Sequence, residues 1–116
     1  MKIDYDLTKA ILSYIEETAN GHDTVWCYTK NIPVECTQDE IDYHIMILHD
    51  DGLLVATNMT MRGHIALERL TAEGHRVLEA MNTSQIQEQL KDFLDEVGKA
   101  GIKKIPALAI KLILGT

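Results

Sequence analysis

At 116 residues the chain fits one domain and leaves little room for two. An apolar fraction of 46% and a charged fraction of 25% are ordinary globular usage, which excludes disorder throughout. The net charge of −7 argues against a surface made to grip a polyphosphate, although it permits a local basic stripe.

The first helix is predicted over residues 6–19. Leu7, Ile11, Leu12 and Ile15 recur there at helical spacing, Asp4 and Asp6 suit its positive end, and Asn20-Gly21 stops it. Residues 25–28 have strand-forming composition, and Pro33 interrupts regular structure after them. Thr37-Gln38-Asp39-Glu40 has the form of a capping box, a hydroxyl taking an early helix N–H and a carboxylate reaching back. The helix it opens carries Ile41, His44, Ile45 and Leu48 on one side and ends at Asp51-Gly52.

Two strands, 53–58 and 64–70, follow around a turn ending in Gly63 and form a hairpin. Thr71 caps a third helix with Val77, Leu78 and Met81 on its apolar side. Ser84 caps a fourth, striped by Ile86, Leu90, Phe93, Leu94 and Val97 and weakened beyond Gly98 and Gly101. Residues 105–114 make a short apolar helix with Pro106 in its first turn. This order predicts an α+β, mostly helical fold: a winged-helix-like domain over 1–82 with a β-hairpin wing, then two extra C-terminal helices over 83–116. That extension either packs on the domain or mediates self-association.

Tyr43-His44, Leu48 and Gly52-Leu53, together with Leu70-Thr71-Ala72-Glu73-Gly74-His75 and Leu78, resemble the signatures of the DUF2513 family of bacterial and phage proteins. The opening helix and the tail, with Gly98, Gly101 and Leu114-Gly115, are similar as well. The resemblance implies a winged-helix-like fold and an origin in phages or mobile elements. It carries no catalytic residue.

In a winged helix the second helix would enter the major groove. Here it bears Asp39, Glu40, Asp42, Asp50 and Asp51 and no Lys or Arg, so a protein partner is expected, at Asp39 and Asp42 of this helix or on the apolar tail, rather than a duplex. The alternative is a dimeric regulator that meets DNA through Arg62 and Arg69 of the wing and through Lys103 and Lys104. Ile105, Leu108, Leu112 and Ile113 are the candidates for self-association into a homo-oligomer.

His44 and His75 lack near ligands at metal-binding spacing, so hydrogen-bonded structural histidines are expected, with no metal and no cofactor. Cys27 and Cys36 have no base at supportive spacing, and no glycine-rich phosphate loop is present; the expectation is no enzyme. A charged N-terminus and the lack of about 18 consecutive apolar residues predict a cytoplasmic protein with reduced thiols and no membrane contact.

Overall fold

The computed structural model describes residues 2–18, 27–28, 32–61 and 63–115. The helices are α1 (Tyr5–Thr18), α2 (Gln38–Asp50), α3 (Ala72–Met81), α4 (Gln87–Val97) and α5 (Ile105–Leu114); the strands are β1 (Cys27–Tyr28), β2 (Leu54–Thr57) and β3 (Ala66–Leu70). The fold is therefore α+β and mostly helical, with helix, strand, helix and hairpin in the order expected of a winged-helix-like domain.

Asp4 sets the start of α1. Its carboxylate accepts the Leu7 N–H at 2.9 Å and its carbonyl accepts the Thr8 N–H and hydroxyl, so the helix begins at Tyr5, one residue before the expected start. In α2 the Thr37 hydroxyl accepts the Glu40 N–H at 3.2 Å, as the capping signal predicts. The end of α2 is a Schellman close: the Leu53 N–H reaches the Leu48 carbonyl and the Gly52 N–H reaches His49. Gly52 sits at φ 74, a conformation that disfavours any residue with a Cβ.

β3 is the centre of a three-stranded antiparallel sheet among the described residues, flanked by β1 and β2. The hairpin strands are shorter than the composition suggests. A register shift opposite Val55 and Ala56 leaves Glu68 unmatched, and Gly63 donates its N–H to the Asp42 carboxylate at 3.2 Å, which ties the wing turn back to α2.

The start of α4 departs from expectation. Ser84 does not cap it: residues Ser84–Ile86 form a 3-10 turn, and α4 begins at Gln87 without a side-chain cap. Gly98 then breaks α4 at φ 76, and a 3-10 segment, Gly98–Lys104, leads into α5 with Pro106 in its first turn. One apolar cluster holds the chain together. Ile11, Leu12 and Ile15 of α1, Ile45 and Leu48 of α2 and Leu67 of β3 share it with Leu90, Leu94, Ile102 and Ile105, so the segment after residue 82 packs on the part before it.

Candidate interaction surface

His44, His75, Thr71 and Tyr5 each make a defined contact within the chain. The His44 side chain is 2% exposed, and both ring nitrogens are used: Nδ1 lies 2.7 Å from the Glu40 carbonyl, and Nε2 accepts the Asp4 N–H at 2.9 Å. A carbonyl cannot donate and an amide N–H cannot accept, so the ring is held as the neutral Nδ1–H tautomer. It fastens the N-terminal segment to α2, with Tyr43 edge-on to the ring at 5.8 Å.

His75 pairs instead with Glu16 of α1 at 3.2 Å, and both are about half exposed. The two histidines line separate cavities, and among the described residues no group of three or more metal-ligating side chains forms.

The residues Gly52-Leu53 and Thr71 to Gly74 form a clasp. Thr71 caps α3 by accepting the Gly74 N–H at 3.1 Å, and the same hydroxyl donates to the Gly52 carbonyl at 2.7 Å. The Thr71 N–H reaches the Leu53 carbonyl at 3.0 Å. That carbonyl lies 2.0 Å from where a Cβ on Gly74 would be, so only glycine lets α3 approach the end of α2 this closely.

Tyr5 is similar in kind: its buried hydroxyl donates to the Met81 carbonyl at 2.7 Å. Burial, with Asp6 adding repulsion, pushes its phenol up to about 12. The Cys36 thiol is raised too, first by desolvation and then by the Glu40 carboxylate, which is the reverse of what a nucleophile needs.

The charged candidates are scattered. Asp42 is engaged by Gln38 at 3.0 Å and by Gly63, whereas Asp39 is exposed. Arg69 is exposed and donates to the Leu70 carbonyl at 3.3 Å. Arg62 and Cys27 have side chains outside the described residues. Lys103 and Lys104 are exposed on the 3-10 segment, where Lys103 and Lys99 lie close enough to Asp51 to oppose the rise that burial imposes on its carboxyl. Lys91 pairs with Asp6 at 3.5 Å and sits over the Tyr5 ring, and Arg76 pairs with Glu73.

The C-terminal helix distributes its apolar residues over two faces. Ile105 and Ala109 are buried, and Leu108 and Leu112 are half-buried against the core, so Ile105 is spent within its own chain. Of the four expected self-association residues only Ile113 stands out, at 56% exposure. Beside it are two that the sequence pattern does not single out, Ile110 at 59% and Leu114 at 69%. Between this ridge and α3 runs a groove of about 250 Å³, floored by Ala80, Pro106 and Ala109 and edged by Arg76 and Glu79. Apart from Lys111 the helix is apolar, so its pattern does little to tell the inner stripe from the outer one; packing against the rest of the chain decides it.

Fold and surface together define a small, mostly helical α+β domain whose last helix presents apolar side chains to solvent. The family model described as "Hypothetical protein (DUF2513)" matches residues 2–100, and the chain belongs to that family. No curated protein and no solved structure matches the chain. Among the described residues no helix is long and apolar enough to cross a membrane.

Proposed function

We propose that this chain is a non-catalytic protein-interaction module that docks a partner through the face formed by α3 and α5. The observation that carries this reading is the ridge of Ile110, Ile113 and Leu114 alongside an apolar groove. Exposed apolar side chains grouped on one element beside a concavity are what partner surfaces have and what isolated surface leucines lack.

Two groups that could serve catalysis also fit this reading: both nitrogens of His44 are committed to backbone partners, and the Cys36 thiol is raised. Electrostatics favour a protein over a duplex. α2 presents Asp39 and Asp50 to solvent, while Lys91 and Arg76 are paired with carboxylates and Lys99 and Lys103 lie beside Asp51. We place the module in the cytoplasm, with the phage or mobile-element setting following from the family resemblance.

The test is a photo-cross-linking amino acid at position 110, compared with one at Met46 on the exposed face of α2, in cells that naturally make the protein. Discrete protein adducts from position 110 that disappear with Ile113→Asp are expected. Adducts from position 46 alone, or salt-sensitive binding of the purified chain to random duplex, would overturn the reading.

A further inference from the structure

We propose that the partner on the α3–α5 face is a second copy of this chain, with the two α5 helices antiparallel about a two-fold axis. This rests on the docking-face reading above. Along α5 the groove residues Pro106 and Ala109 lie toward the N-terminal end and the protruding Ile113 and Leu114 at the C-terminal end, so an antiparallel copy brings the protruding end of one helix over the groove end of the other. Ile110, Ile113 and Leu114 stand out from α5, and the groove floored by Ala80, Pro106 and Ala109 opens next to them. An isologous interface needs both on one patch, since residue i meets residue j and j meets i.

The rim charges fit the same symmetry. A two-fold axis that sets α5 antiparallel to its copy carries the α3 flank of one molecule onto the α3 flank of the other. Arg76 and Glu79 both edge the groove, one turn apart on α3, and they have opposite sign. Arg76 of each copy then faces Glu79 of the other. Within the chain Arg76 pairs with Glu73, but Glu79 has no ion-pair partner among the described residues and is exposed. Across the two-fold axis that carboxylate gains an arginine partner which its own chain does not give it.

Size sets the expected strength. Each helix of the face has ten residues, about 15 Å of length, which puts the contact at the small end of stable interfaces. A dimer with a Kd on the order of micromolar is expected, not an obligate one.

The experiment is sedimentation velocity of the full chain over a concentration series, with variants. Wild type should pass from monomer to dimer. Ile113→Asp should weaken the dimer by roughly 100-fold or more, because a carboxylate would be desolvated in an apolar contact. Arg76→Glu alone and Glu79→Arg alone should each weaken it about tenfold, and the double exchange should return it to within about threefold of wild type. Far-UV circular dichroism and thermal midpoints of each variant separate a lost contact from a lost fold, since these side chains are exposed in the monomer.

A chain that stays monomeric up to on the order of 1 mM, or a double exchange no better than either single one, overturns the proposal. If it stays monomeric while the cross-linker at position 110 captures a protein of another mass, the docking face stands and the second copy falls. Association of the monomer with phospholipid vesicles in place of dimer formation overturns both.

Discussion

A single carbonyl explains why Gly74 cannot be another residue. A methyl group there would lie 2.0 Å from the Leu53 oxygen, and the obstacle is backbone, which cannot rotate aside. Gly74→Ala should therefore destabilise the fold by about 3 kcal/mol or more in urea denaturation, and a loss below about 0.5 kcal/mol would contradict the clasp. His44→Ala should cost about 2–3 kcal/mol, because it leaves the Asp4 N–H without its acceptor and opens a cavity beneath the N-terminal segment. Amide exchange at Asp4 should accelerate in the same variant.

Tyr5 gives a pH signature. Its phenol ionises near 12 in the folded chain against 10.0 ordinarily, so above pH 10 the unfolded state releases a proton that the folded state keeps. The contribution is fully present below pH 10 and is lost as pH rises toward about 12. A tyrosinate absorbance titration should show a late component that Tyr5→Phe removes; identical curves would contradict the burial argument.

What the sequence disclosed at this scale was residue type rather than partner. The inward side of α2 predicts a bonded His44, but no local pattern tells of Asp4, forty positions away, or of Glu16 beside His75.

At the scale of elements the start and stop chemistry was largely readable. Thr37 and Thr71 cap as their positions predict, and Gly52 and Gly98 end helices with positive φ. Thr71 does more than cap, since its hydroxyl also donates to the Gly52 carbonyl. Thr71→Ala should lose about 1–2 kcal/mol, and Thr71→Ser should retain most of it because the hydroxyl remains. Equal losses for the two substitutions would point to the methyl group and against the bridge.

Ser84 misleads because a hydroxyl before an apolar stripe is a good cap signal, yet the chain makes a 3-10 turn first so that Ile86 can reach the core. α5 was legible as a helix and illegible as a surface. Its residues are apolar nearly all round, so burial of Ile105 and Ala109 and exposure of Ile110 and Leu114 follow from where α3, α4 and the 3-10 segments lie.

The whole molecule separates its charge from its exposed apolar ridge. Negative charge lies along α2, and the ridge lies on α5, so the element that a winged helix would offer to a groove is not the one that carries the exposed apolar ridge. The order helix, strand, helix, hairpin was visible in the sequence because each break carries Gly, Pro or a capping hydroxyl. The exposed apolar ridge with its groove was not, because it depends on two helices, α3 and α5, packing side by side.

Methyl NMR of the intact chain on concentration bears on this most directly. The account predicts shift changes at the Ile110, Ile113 and Leu114 methyls while those of Met46 and Met61, exposed on α2 and the wing, stay still. Movement of the two methionine methyls with the three α5 signals unchanged would contradict it, and no movement anywhere would contradict the second copy on that face.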